Sequence, residues 1–75
     1  MEVLKCIQEI LPELTKTQTK VAEYILVHPE EVCFLPLRML AEKVGVTETT
    51  ILNFCKKTTY ENYAGLKEAM RADIQ

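Results

Sequence analysis

At 75 residues the chain supports one small domain, and its 48% hydrophobic share suffices for one modest core. Its apolar runs are only a few residues long, too short for a membrane span or a signal peptide, so a cytoplasmic location is expected. A net charge of −2 gives no general attraction for an anionic polymer, so any such role must rest on a local patch.

Cys6, Cys33 and Cys55 are odd in number, widely spaced and form no C-x-x-C pair, and His28 is the sole histidine. That pattern does not assemble four clustered zinc ligands, so no metal and three buried, reduced thiols are expected. There is no serine, and one isolated histidine offers no nucleophile–base pair. No catalytic residue, no cofactor and no enzymatic activity follow from such a set.

Glycine occurs only at Gly45 and Gly65 and proline only at Pro12, Pro29 and Pro36. With no alternating β-branched runs, this punctuation predicts an all-α chain of five short helices. The first runs from Glu2 to Leu11 with Val3, Leu4, Ile7 and Leu11 on one face, and Pro12 ends it. Thr15 opens the second, and Thr15-x-x-Gln18 fits a capping box. Val21, Tyr24, Ile25 and His28 mark its apolar side before Pro29 stops it. Residues 30–35 read as a connection pinned to the core by Val32, Phe34 and Leu35. The third helix runs from about Pro36 to Val44, burying Leu37, Leu40, Ala41 and Val44. The fourth runs from Glu48 to about Thr58. The fifth, from roughly Glu61 to Ile74, buries Tyr63, Leu66, Ala69 or Met70, and Ile74.

The third and fourth patterns meet at Gly45-Val46-Thr47 with almost no chain between them. Gly45 sits where a left-handed residue closes a helix, Val46 plugs the angle, and Thr47 caps the next helix. Glu48 at the first helical position suits the positive end of the dipole, and small Ala41 permits a close crossing. Two helices joined by a short glycine-containing turn make a helix-turn-helix. No strand pattern follows, so no wing is expected.

At about 100° per residue, Ile51, Phe54 and Cys55 share the inward face of the fourth helix. Thr49, Asn53 and Lys56 point the opposite way, with Thr50 and Lys57 on the flanks. These types contact bases and phosphates: Asn pairs with adenine, a Thr methyl meets a thymine methyl, and Lys reaches guanine or phosphate. Charge is distributed accordingly. Residues 1–36 carry three Lys/Arg against six acids, residues 37–58 four against two, and residues 59–75 two against three. The segment around the motif is the only positive one, though weakly so. Affinity from phosphate contacts is therefore limited, and a homodimer is expected. The candidate DNA-binding residues are Thr47, Thr49, Thr50, Asn53, Lys56 and Lys57. Thr47 and the helix-start amides would hold phosphate, Thr49, Thr50 and Asn53 would meet base edges, and the lysines mainly phosphates. The competing reading is a small helical protein-interaction or dimerisation module, with the first helix as its surface.

Across "LPELTKTQTKVAEYILVHPEEVCFL", "LAEKVGVTETTILNFCKK" and "YENYAGLKEAM" the chain resembles the amino-terminal DNA-binding domain of RpiR-family bacterial transcriptional regulators. The resemblance implies sequence-specific binding of double-stranded DNA, and regulation of sugar or phosphosugar metabolism genes. It also implies a following sugar isomerase-type domain that binds a phosphosugar effector and aids dimerisation, so the chain is expected to be a fragment. Three positions depart from the family. Asn53 stands where arginine is common, Thr58-Thr59-Tyr60 where Leu-Gly-Phe is common, and Pro36 where a serine cap is usual.

Overall fold

The computed structural model describes residues 2–74 and has no strand among them. The helices are α1 (Glu2–Ile10), α2 (Lys16–Val27), α3 (Pro29–Val32), α4 (Leu37–Val44), α5 (Glu48–Lys56) and α6 (Tyr63–Ile74). A 3₁₀ turn, Leu11–Glu13, holds Pro12 between α1 and α2. The all-α expectation is met, with one α-helix more than the five anticipated: the presumed connection after Pro29 is itself a one-turn helix. Pro29 occupies its first turn, where a missing N–H costs nothing.

Local chemistry starts and stops these helices as their residues dictate. Thr15 accepts from the Gln18 amide at 3.3 Å, and the Gln18 side chain accepts from the Thr15 amide at 3.1 Å, completing the capping box. Pro36 precedes α4 in an extended conformation and, having no side-chain acceptor, supplies no cap. Asn62 opens α6 by accepting the Gly65 amide at 2.7 Å. A Cβ on Gly65 would stand 3.1 Å from the Tyr60 carbonyl, so glycine permits this close return of the chain.

The core draws on every helix: Val3 and Ile7, Val21 and Ile25, Val32, Leu40, Ile51 and Phe54, Leu66 and Met70 are all fully withdrawn from solvent. α2 packs most extensively on α5, α4 packs on α5, and α1 bridges α2 and α6. Leu37 and Val44 pack partly buried against this core. The apolar face of α1 is thus consumed inside the domain, with Leu4, Ile10 and Leu11 half-covered, which removes the surface proposed for an interaction module.

Several single-residue expectations are corrected. Phe34 is 72% exposed, because α3 continues into a turn and about 200° of helical rotation separates Phe34 from inward-facing Val32. His28 lies outside the core. It terminates α2 with its side chain 48% exposed and its ring 4.8 Å from that of Tyr24. Ile74 is also exposed, leaving Tyr63, Leu66 and Met70 as the buried stripe of α6. Of the three thiols, Cys33 and Cys55 are buried while Cys6 is half-exposed, 4.0 Å from the Thr59 hydroxyl.

α6 also satisfies the carbonyls leading into α4. Donors spaced four residues apart on one face of α6 bond these carbonyls. Tyr63 donates to the Leu35 carbonyl at 2.7 Å, Lys67 to the same oxygen at 3.3 Å, and Arg71 to the Cys33 carbonyl at 2.7 Å. No described helix is long and apolar enough to cross a membrane.

Candidate nucleic-acid interface

The turn between α4 and α5 is built as its residues suggest. Gly45 has φ 83° and ψ 37°, the left-handed region that glycine enters without strain. Its amide and that of Val46 both donate to the Ala41 carbonyl, at 2.9 and 3.0 Å, and so close α4. Val46 packs partly buried against the core, and Ala41 is 6% exposed. Thr47 then starts α5, its hydroxyl accepting the Thr50 amide at 3.1 Å. The result is two short helices whose relative position is set by one left-handed residue, one plug and one cap.

α5 divides as the 100° spacing requires. Ile51, Phe54 and Cys55 are fully buried, and burial pushes the Cys55 thiol up to about 11. Thr49, Asn53 and Lys56 are exposed and make no side-chain hydrogen bond or ion pair among the described residues. The remaining candidates are engaged within the domain. The Thr47 and Thr50 hydroxyls lie 3.0 Å apart, each serving the cap. The Lys57 ammonium donates to the Glu13 carbonyl at 3.0 Å, tying the end of α5 to the 3₁₀ turn. The first amides of α5 have no acceptor inside their own helix, as at any helix start.

Ion pairing refines the local charge. Lys43 lies 3.2 Å from Glu31, which also accepts the Tyr24 phenol at 3.0 Å. The Tyr24 hydrogen bond, and then Lys43, hold the Glu31 carboxyl below its ordinary value, while Glu31 raises the Lys43 ammonium. Lys43 therefore braces α4 against α3. Arg38 and Lys56 are the cations of the motif with no acidic or carbonyl partner among the described residues.

Leu52 was not anticipated. It is 39% exposed beside the polar face, and the helical wheel, which sorts residues as core or polar, had no category for it. The turn after α5 also departs from a glycine-closed geometry. Thr58 is buried, donates to the Cys55 carbonyl at 2.6 Å and accepts the Tyr60 amide at 3.2 Å. The left-handed residue comes later, at Glu61 with φ 63°.

A surface cleft of about 480 Å³, lined by residues 26–31, contains no α5 residue. What this geometry offers is a helix with one buried and one exposed polar face, joined to α4 by a tight left-handed turn, which defines a helix-turn-helix DNA-binding domain. Over residues 1–75 the sequence matches the family described as helix-turn-helix domain, rpiR family, and the chain belongs to that family. It is similar to the HTH-type transcriptional regulator HexR of Pseudomonas aeruginosa, 37% identical over 65 residues that cover 87% of this chain and 23% of that protein. HexR of Escherichia coli is 31% identical over 67 residues, covering 89% of this chain and 23% of the regulator. The uncharacterized HTH-type transcriptional regulator YfhH of Escherichia coli is 30% identical over 57 residues, 76% of this chain and 20% of YfhH. The chain thus spans less than a quarter of each of these relatives.

Proposed function

We propose that this domain regulates transcription by placing α5 in the major groove of a specific DNA site. The observation that carries this reading is the polar face of α5. Thr49, Asn53 and Lys56 stand exposed and unbonded on a helix whose opposite side is wholly buried. Asn53 and Thr49 meet base edges, Asn53 being suited to the N6 and N7 atoms of adenine. Lys56 contacts phosphate. Thr47 and Thr50 orient the first amides of α5 towards a phosphate, their hydroxyls being occupied by the cap. Lys57 adds a further phosphate contact by exchanging the Glu13 carbonyl for the backbone of the duplex.

The domain works in a longer regulator that binds as a homodimer, because one weakly positive motif contacts too few phosphates to hold a site alone. Half-sites about 10 bp apart, or a multiple, let both reading helices enter one face of the duplex. A carboxy-terminal sugar isomerase-type domain in that longer protein takes a phosphosugar effector, and the regulated genes serve sugar or phosphosugar metabolism.

The test is Asn53→Ala against a site selected from a randomised duplex library, with circular dichroism first establishing the fold. The variant loses about 1–3 kcal/mol on the preferred site and its selectivity at one base pair. Binding of every sequence as the parent binds it would mean that α5 is not the reader.

A further inference from the structure

We infer that Leu52 is a specificity-determining residue that packs against the 5-methyl group of a thymine in the major groove. The inference rests on α5 being the reading helix. On that helix Ile51, Phe54 and Cys55 are completely withdrawn from solvent, whereas Leu52 keeps 39% of its surface exposed. Its helical neighbours one turn away are Glu48, Thr49, Cys55 and Lys56, so its methyl groups border the polar face directly. The exposed leucine is therefore continuous with the DNA-binding surface. The other large exposed apolar residues, Val27, Phe34, Met39 and Ile74, lie outside α5.

A leucine side chain has neither donor nor acceptor, so it gains nothing from a phosphate or from the polar atoms of a base edge. The apolar group that the major groove offers it is the thymine methyl. Asn53, the next residue, carries the amide suited to adenine. Together the pair favour A·T base pairs within the half-site.

Replacing thymine by uracil tests this, since uracil keeps every pairing atom and lacks only the methyl group. Two copies of the chain, dimerised through an appended coiled coil, are first used to select the preferred site from a randomised duplex library at low salt, and each thymine is then replaced in turn. For the parent, one replacement lowers affinity by about three- to tenfold, the range expected of a small buried apolar contact. Leu52→Ala loses a similar factor on the thymine duplex and is indifferent to uracil at that position. Leu52→Gln preserves length and helix propensity and behaves as Leu52→Ala does, whereas Leu52→Met retains sensitivity to uracil. The polar and apolar variants thus separate contact from folding. A parent tolerant of uracil everywhere overturns the inference, as do Leu52→Ala and Leu52→Gln variants still sensitive at the same thymine. So does a loss shared equally by the thymine and uracil duplexes, which places Leu52 against the sugar–phosphate backbone. Selection of no site at all overturns the reading-helix assignment itself, whereas an Asn53→Ala effect without any uracil effect removes Leu52 alone.

Discussion

Substituting Gly45 isolates the backbone contribution to the placement of α5, because φ there is 83° and an added Cβ meets nothing within 4 Å. The cost is therefore conformational and not steric. A left-handed backbone costs an L-residue about 1–2 kcal/mol. Reduced freedom of the unfolded chain returns about 0.4–1 kcal/mol of this for Gly→Ala. Gly45→Ala is accordingly expected to destabilise the domain by about 0.5–1 kcal/mol. Gly45→Val, β-branched and poorly suited to positive φ, should cost about 1–2 kcal/mol or more. Asparagine visits the left-handed region more readily, so Gly45→Asn should cost only a few tenths of a kcal/mol, ~0.3. For a domain of this size about 1 kcal/mol corresponds to roughly 4–8 °C in Tm. Thermal and urea unfolding followed by circular dichroism would give the order Gly, Asn, Ala, Val. DNA affinity should fall further than stability, because opening the turn frees the Ala41 carbonyl and releases Val46 from the core. An order set by side-chain size, with alanine better tolerated than asparagine, would refute the reasoning.

Cys6 should react with a thiol reagent well before Cys33 and Cys55, which are fully buried; rapid labelling of Cys55 in the folded protein would show that α5 is rotated about its axis. The domain should also be alkali-sensitive. Burial raises the Cys55 thiol from 9.0 to about 11, so its contribution is complete below about pH 9 and is lost as the pH rises towards 11. Tyr63, raised to about 12 first by burial and then by Cys55 and Cys33, extends the loss upward. Urea unfolding should therefore weaken by about 2 kcal/mol between pH 8 and 11, and Cys55→Ala should remove most of the change up to pH 10. Lys56→Gln should weaken binding to all sequences alike and lower the magnitude of the salt slope by about one per domain. Lys57→Gln should lower it less, since its ammonium already has a partner in the Glu13 carbonyl; equal slopes for both variants would argue that this bond does not persist on DNA.

The Thr15 and Thr47 caps, the left-handed Gly45 and the burial of Ile51, Phe54 and Cys55 beneath Thr49, Asn53 and Lys56 were legible in the sequence. Each depends on neighbours within about one helical turn and on a period of 3.6 residues, which the order of residues alone specifies. Phe34 was misplaced because the segment after Pro29 winds into one more turn, which redirects the side chains that follow it, and His28 because its backbone, at φ −126° and ψ 52°, has already left the α2 helix. Which cations remain available to DNA was equally illegible. Lys43 is spent on Glu31 of another helix, and Lys57 reaches a carbonyl 44 positions away in sequence. Leu52 stays exposed because α2, α4 and α6 cover the other faces of α5 and leave that edge open. These outcomes depend on which surfaces meet when distant segments pack, and no local pattern encodes that. The face that points outward is set by helical period, and the charges and apolar groups left available on it are set by the tertiary fold.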